Sequence, residues 1–173
     1  RLLPEMLKAA TIISETIPSA QYILPLAETL AEKQIAQMIY DSGIKVKIVM
    51  GATYDAIACC DLAIVTSGTA TLETGLLGVP MVIIYKVSLF SALIGSLVIS
   101  VKNIGLVNII AGKTIVPELI QLEAKGERIA AEALAILKSE RYTKIKEELA
   151  ALREKMGSPG AAARAAQIAC SMI

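Results

Sequence analysis

The chain has 173 residues, with 17 Lys and Arg, 16 Asp and Glu, no His and a formal net charge of +1. The absence of His excludes an imidazole general base, a Ser-His-Asp triad and a His-ligated metal site. A net charge so close to zero offers no field that would attract a polyanion, so the composition argues against a nucleic-acid partner.

The first half of the chain alternates helices with apolar runs. We predict helices over residues 2–17, 28–40, 54–60 and 69–77, and strands over residues 22–26, 46–50, 62–66 and 80–85. The predicted strands are continuously apolar rather than alternating, which is typical of a parallel sheet that helices cover on both faces. The sequence therefore predicts one α/β domain built on a parallel sheet.

An uncharged segment follows the fourth predicted strand, at residues 87–101. It is shorter than the span of about 20 apolar residues that crosses a bilayer. Two interpretations stay open: a buried helix, or an apolar surface that lies in a membrane interface or holds acyl chains. An apolar fraction of 55% in the whole chain also fits a module that binds a membrane or a partner protein through this face.

The remainder of the chain is predicted to become helical. Residues 106–112 read as a strand end and loop, and residues 117–121 as a helical turn. Three Ala-, Glu- and Lys-rich helices are predicted over residues 127–138, 140–156 and 160–171, facing solvent or another domain. We accordingly divide the chain into a sheet domain, residues 1–125, and a C-terminal helical extension, residues 126–173.

The three cysteines do not form a recognisable site. Cys59 and Cys60 are adjacent, Cys170 is far away, and the sequence contains no Cys-x-x-Cys pair. This spacing supports neither a zinc ribbon nor a disulfide framework. A reduced, cytosolic setting is the prediction.

The junction between the third predicted strand and the next helix carries the best chemical signal. An apolar run ends in Thr66-Ser67-Gly68-Thr69 and passes directly into a helix that contains Glu73. The first N–H groups of a helix have no intrahelical partner, and the helix dipole adds partial positive charge, so a phosphate can bind there without Lys. Glu73, one turn further on, could accept hydrogen bonds from two vicinal hydroxyls. The alternative is structural: Ser67 or Thr69 caps the helix, and Glu73 completes a capping box.

Three further residues follow predicted strands. A flat base could lie against the backbone of Gly51, or Gly51 could simply form a βα turn. Asn108 stands in an apolar stretch and, if buried, must find polar partners, either a sugar hydroxyl or its own loop. Lys86 could approach a phosphate or remain solvated. Three acids are assigned by default to capping or to the surface: Asp55, Asp61 and Glu118.

Taken in order, these motifs resemble the lipid-A-disaccharide synthase family, inverting glycosyltransferases with the two-domain B-type fold. The Ser-Gly-Thr-x-x-x-Glu stretch at residues 67–73 is shared with other nucleotide-sugar transferases. The Asn-x-x-Ala-Gly stretch at residues 108–112, followed by Val-Pro-Glu-Leu-x-Gln at residues 116–121, is more specific. The resemblance covers most of the chain and places it as the C-terminal, donor-binding half, a Rossmann-like domain that lacks its first strand.

The resemblance implies a reaction that needs neither a metal nor a cofactor. The donor is UDP-2,3-diacylglucosamine, the acceptor is 2,3-diacylglucosamine 1-phosphate, and the products are UDP and a β-1,6-linked disaccharide on the way to lipid A. By resemblance, Ser67, Gly68 and Thr69 would meet the diphosphate and Glu73 the ribose. Gly51 would lie by the uracil, and Asn108 near the diphosphate or the donor sugar.

The resemblance also implies parts that this chain lacks. In the family, an N-terminal acceptor half carries the catalytic acid and base, and a strand ending in Gly-Ser-Arg precedes the position of Arg1. No catalytic residue is therefore assigned within this chain, which alone should bind the donor poorly and transfer nothing. The family implies a cytoplasmic protein at the inner face of the inner membrane, and a homodimer through C-terminal helices. The alternative enzyme is another UDP-sugar transferase or an epimerase of the same fold.

Overall fold

The computed structural model describes residues 2–27, 32–66, 68–86, 103–157 and 160–172. Its strands are β1 (Tyr22–Leu26), β2 (Val46–Met50), β3 (Ala63–Thr66), β4 (Met81–Tyr85) and β5 (Glu118–Ile120). The helices before β4 are α1 (Leu3–Thr16), α2 (Glu32–Ser42), α3 (Thr53–Ala58) and α4 (Thr69–Leu76). Those after it are α5 (Leu106–Ala111), a 3₁₀ turn (Gln121–Glu123), α6 (Gly126–Leu137), α7 (Arg141–Met156) and α8 (Ala161–Ser171).

The described strands form two parallel sheets. In the smaller sheet β1 pairs with β2, and Tyr22 lies opposite Val46. In the larger sheet the order is β3–β4–β5, with Thr66 opposite Ile84 and Tyr85 opposite Ile120. Among the residues that the structure describes, no pairing joins β1 to β3. The α/β class and the parallel strands that the sequence predicted are confirmed.

The core lies around β4. Met81, Val82, Ile83 and Ile84 are completely buried, which explains why this strand is apolar at every position. Helices α1 and α6 pack extensively against each other, α6 also contacts β4, and α7 packs on α4.

The sequence predicted that the three C-terminal helices face solvent or another domain, but α6 and α7 bury one face against the sheet domain itself. Ile129, Ala133 and Ile136 of α6 are buried, as are Ile145, Leu149 and Leu152 of α7. These residues recur every three or four positions and form one apolar stripe on each helix, which packs into the core while the charged residues face out. In α8, by contrast, every residue from 162 to 171 is exposed.

Two short elements differ from the prediction. Residues 106–111 form helix α5 rather than a strand end, and Gly112 ends it with φ +74°. Residues 118–120 form strand β5 rather than a helical turn, because they complete a parallel ladder with Ile83–Tyr85 of β4. Neither six nor three residues can establish a period, so sequence alone could not separate the two structures.

The uncharged stretch at residues 87–101, and with it the choice between its two interpretations, lies outside the described residues. Elsewhere, the described helices include none with the length and apolar character needed to cross a bilayer. Cys59, Cys60 and Cys170 are free thiols in the structure.

Candidate functional site

The predicted strand-to-helix corner exists and is open to solvent. Strand β3 ends at Thr66 and α4 begins at Thr69, and both Gly68 and Thr69 are exposed. Gly68 has φ +142° and ψ −164°, a conformation that is nearly restricted to glycine. A Cβ on Gly68 would meet nothing within 4 Å, so space for a ligand remains above it. Ser67 lies outside the described residues.

The buried residue Thr71 stabilises the first turn of α4 through hydrogen bonds. The buried Thr71 hydroxyl donates to the carbonyl oxygen of Gly68 across 2.8 Å, and its N–H donates to the same oxygen across 3.2 Å. No described side chain caps the helix, so the alternative in which Thr69 serves as an N-cap is not observed. The N–H groups of Thr69 and Ala70 have no hydrogen-bond partner among the described residues. Thr71 was missed in the sequence, although a hydroxyl residue in a first turn is a usable signal.

The N-termini of α5 and α6, the described helices that come after β4 and β5 in the chain, have different surroundings. At α5, the Glu118 carboxylate accepts hydrogen bonds from the N–H groups of Ile104, at 2.7 Å, and Gly105, at 3.1 Å. At α6, the Glu5 carboxylate accepts from the N–H of Gly126 at 2.8 Å. These two helix termini already hold an anionic group, whereas α4 has no cap among the described residues and no acid in its first turn. Among these three described termini, α4 is therefore the one where an external anion would meet N–H groups that no described residue engages.

Glu73 lies one turn into α4 and is half-buried. Its carboxylate makes no hydrogen bond or ion pair with another described residue, so the capping-box alternative is not observed either. A carboxylate in this position can accept two hydrogen bonds from a ligand that occupies the corner.

Gly51 forms the turn after β2. It is exposed, it adopts φ +72°, and a Cβ there would meet nothing within 4 Å. The turn therefore exposes bare backbone, and the interpretation of Gly51 as a contact for a flat base stays a prediction. Gly51 and Gly68 follow strands of different sheets, but the helices that begin after them, α3 and α4, contact each other.

Asn108 is completely buried, and its amide is fully used within the chain. Its nitrogen donates to the carbonyl of Val116 at 2.9 Å and to the carboxylate of Glu118 at 2.7 Å. Its oxygen accepts from the N–H groups of Ile115, at 2.8 Å, and Val116, at 3.1 Å. Of the two roles weighed for Asn108, the structure shows the one in which it holds its own loop.

Lys86 is held in an ion pair rather than left in solvent. Its Nζ lies 2.9 Å from Oε1 of Glu5, and each side chain is only about a quarter exposed, 25% and 26%. The hydrogen bond from Lys86 and the one from the Gly126 N–H together lower the pKa of Glu5. Sequence analysis missed this contact, because Glu5 stands 81 residues from Lys86.

The fold is that of a parallel α/β protein in which a helix N-terminus without a described cap stands at the carboxyl end of a strand, an arrangement that is typical of anion-binding sites. Residues 1–172 match the family model described as lipid-A-disaccharide synthetase. The chain is 57% identical over 175 residues to a lipid-A-disaccharide synthase of Syntrophus aciditrophicus (strain SB), and 43% identical over 174 residues to that of Geobacter sulfurreducens. This chain belongs to the lipid-A-disaccharide synthase family.

The match covers all of this chain but only part of its relatives. It spans 46% of the Syntrophus protein and 45% of the Geobacter protein. A lipid-A-disaccharide synthase from Nitrosococcus oceani is 42% identical to this chain, and the match again spans 45% of that protein. The chain therefore spans about half the length of the curated relatives that it matches.

Proposed function

We propose that this chain is the donor-binding part of an inverting glycosyltransferase. The complete enzyme would move 2,3-diacylglucosamine from its UDP derivative to 2,3-diacylglucosamine 1-phosphate, forming the β-1,6-linked disaccharide of lipid A and releasing UDP. The observation that carries the proposal is the open α4 terminus, with free N–H groups at Thr69 and Ala70. The family match supplies the class of reaction.

Each site residue has a proposed role. Ser67, Gly68 and Thr69 bind the diphosphate and Glu73 binds the ribose hydroxyls. Gly51 lies against the uracil. Asn108 serves the donor through the loop at residues 112–117, since a direct contact with donor would break one of its observed hydrogen bonds.

In this proposal, the chain contributes electrostatic stabilisation of the leaving group. As the glycosidic bond to UDP breaks, negative charge accumulates on the departing diphosphate. N–H groups that already point at that position stabilise the charge without reorganising. The chain supplies neither the base that activates the acceptor nor the acceptor site, and both belong to the N-terminal half in this proposal.

The proposed domain at residues 1–125 lacks its first strand. With β2–β1 in one sheet and β3–β4–β5 in the other, a single parallel strand between β1 and β3 would complete six strands in the order typical of dinucleotide-binding folds. The segment before Arg1 would provide that strand. Residues 126–173 form the proposed extension, and the exposed α8 is its proposed contact with a second subunit or with the N-terminal half. The proposed location is the cytoplasmic face of the inner membrane.

Calorimetry with UDP and the full-length protein tests the proposal. We expect the wild type to bind UDP and Glu73→Gln to bind it at least about tenfold more weakly, because a carboxylate hydrogen bond to a hydroxyl is lost. With 2′-deoxy-UDP the difference between the two proteins should shrink. Glu147→Gln, at an exposed position of α7, is the control and should match the wild type. Equal UDP binding by Glu73→Gln would remove Glu73 from the ribose role.

A donor panel separates the proposed reaction from the alternative enzymes. The full-length protein should use the diacylated UDP-glucosamine and leave UDP-N-acetylglucosamine unreacted. Transfer from the unacylated donor would favour another UDP-sugar transferase, and interconversion of that donor's sugar would favour an epimerase.

A further inference from the structure

We propose that Lys86 contacts the diphosphate of the donor and that Glu5 is its positioning residue. The inference rests on the proposed function, since it adds a charged group to the same diphosphate site. Lys86 is absent from the roles assigned above, all of which use neutral donors or a carboxylate.

The register of the sheet places Lys86 beside the corner. Thr66, the last residue of β3, lies opposite Ile84 of β4. Gly68 follows Thr66 by two residues, and Lys86 follows Ile84 by two residues. Since neighbouring strands are about 4.8 Å apart, the backbone leaves the sheet at Lys86 next to the point where it leaves at Gly68. A lysine side chain is long enough to cover that separation.

The contact with Glu5 keeps Lys86 at this edge of the sheet. Lys86 follows the carboxyl end of β4, and Gly126 begins the helix that comes after β5. Glu5, in the first turn of α1, bonds to both: Oε1 to the Lys86 ammonium at 2.9 Å and Oε2 to the Gly126 N–H at 2.8 Å. One carboxylate therefore joins three elements and holds the Lys86 ammonium at this edge of the sheet.

The ammonium has capacity for a second anionic partner. It carries three N–H donors, and Glu5 is the acceptor it has among the described residues. Each oxygen of Glu5 already accepts one hydrogen bond, and the ammonium gives one of its three N–H donors to this carboxylate. A diphosphate offers several charged oxygens, which form the stronger charge-assisted hydrogen bonds with an ammonium.

Lys86 is more deeply buried than Lys113, another lysine that pairs with a glutamate. Lys113 also pairs with a glutamate, Glu148, at 2.6 Å, but its side chain is 58% exposed, against 25% for Lys86. A surface pair of that kind is screened by water and contributes little. Lys86 has already lost much of its rotamer freedom, so less entropy is lost when it binds a ligand.

The test measures binding of UDP and of uridine to the full-length protein, by calorimetry and by ligand-observed NMR respectively. We expect Lys86→Met to weaken UDP binding about tenfold, the usual loss for one charge-assisted hydrogen bond, and to leave uridine binding unchanged. Lys86→Arg should restore most of the UDP affinity. Glu5→Gln should weaken UDP binding to a smaller extent, because Lys86 is still present but less well placed. Lys113→Met and Glu148→Gln are the matched controls and should bind both ligands as the wild type does.

The outcomes separate this inference from the proposed function. If the wild type binds UDP and Lys86→Met binds it equally well, the role of Lys86 is refuted and the donor-binding proposal stands. An equal loss for UDP and uridine would also refute it, since the damage would then not be specific for phosphate. If the wild type fails to bind UDP, both proposals fall. Lys86→Gln serves the same comparison if Lys86→Met does not fold, as judged by circular dichroism.

Discussion

The side-chain nitrogen of Asn108 donates to the carboxylate of Glu118 across 2.7 Å, and the two residues act as one clamp. Glu118 binds the backbone that enters α5, at Ile104 and Gly105. Asn108 binds the backbone that leads into β5, at Ile115 and Val116. The clamp thus fixes α5 against the last strand of the larger sheet, and it gives the motif at residues 108–118 a structural explanation.

Removing the clamp should cost stability. Asn108→Ala leaves the N–H groups of the buried Val116 and the half-buried Ile115 without their acceptor, so we expect the free energy of unfolding to fall by about 3 kcal/mol. Urea denaturation followed by circular dichroism measures it. Asn103→Ala is the control, because Asn103 bonds Thr114 at an exposed site and should lose less than about 1 kcal/mol. Equal losses in the two variants would contradict the clamp.

Gly105 is required because Ile83 occupies the space next to it. A Cβ at Gly105 would lie 2.3 Å from Cδ1 of Ile83, which is fully buried. We expect Gly105→Ala to destabilise the protein by about 1–3 kcal/mol through overpacking. Valine lacks Cδ1, so Gly105→Ala should cost clearly less in an Ile83→Val background. A double-mutant cycle of unfolding free energies measures the coupling, and additive effects would refute this explanation.

Gly68 is required by its backbone conformation and not by crowding. Its φ of +142° is strained for any residue with a Cβ, so Gly68→Ala should destabilise α4 by about 1–3 kcal/mol. Gly78→Ala is the matched control, since Gly78 also has a positive φ, +73°, and open space around it. We expect both variants to lose stability and only Gly68→Ala to lose UDP affinity. A similar loss of affinity in Gly78→Ala would argue against the corner as the site.

The pairing of Glu5 makes stability depend on pH. Its bonds to Lys86 and to Gly126 lower its pKa in the folded state. Its contribution is therefore complete above the unfolded value of about 4.3 and is lost as the pH falls through the lowered pKa. We expect Glu5→Gln to be less stable than the wild type at neutral pH, by about 1 kcal/mol for a partly exposed pair. Urea titrations at several pH values should show this difference shrinking in acid. A difference that does not change with pH would contradict the role of the Glu5 carboxylate. Glu127→Gln is the control, because Glu127 pairs with Lys8 at an exposed site, and its free energy of unfolding should match that of the wild type.

Much of the fold could be predicted because its strands are distinctive. The runs at β1 and β2 match the predicted strands residue for residue, and β3 and β4 differ by one residue. Continuous apolar stretches bounded by turns are a strong signal for a parallel sheet. The corner at Gly68 could also be predicted, because a strand that passes directly into a helix leaves the first N–H groups of that helix without intrahelical acceptors.

What could not be predicted depends on contacts between distant residues. Glu118 was assigned to a cap or the surface, and only the folded chain brings it to Ile104 and Asn108. The prediction that α6 and α7 face solvent or another domain followed their high charge and overlooked the apolar stripes that pack them into the core. Strand β5 exists because β4 offers it a pairing edge, which three residues of sequence do not reveal.

The bond from Gly126 to Glu5 joins residues 121 positions apart, and α1 packs more extensively on α6 than on any other element. During synthesis, α1 leaves the ribosome long before its main partner exists. Closing so long a loop costs conformational entropy before the contacts between α1 and α6 can stabilise it. Helix α1 therefore cannot complete its packing, and the edge of the sheet where Lys86 is held cannot take its final form, until Gly126 and the rest of α6 have been synthesised.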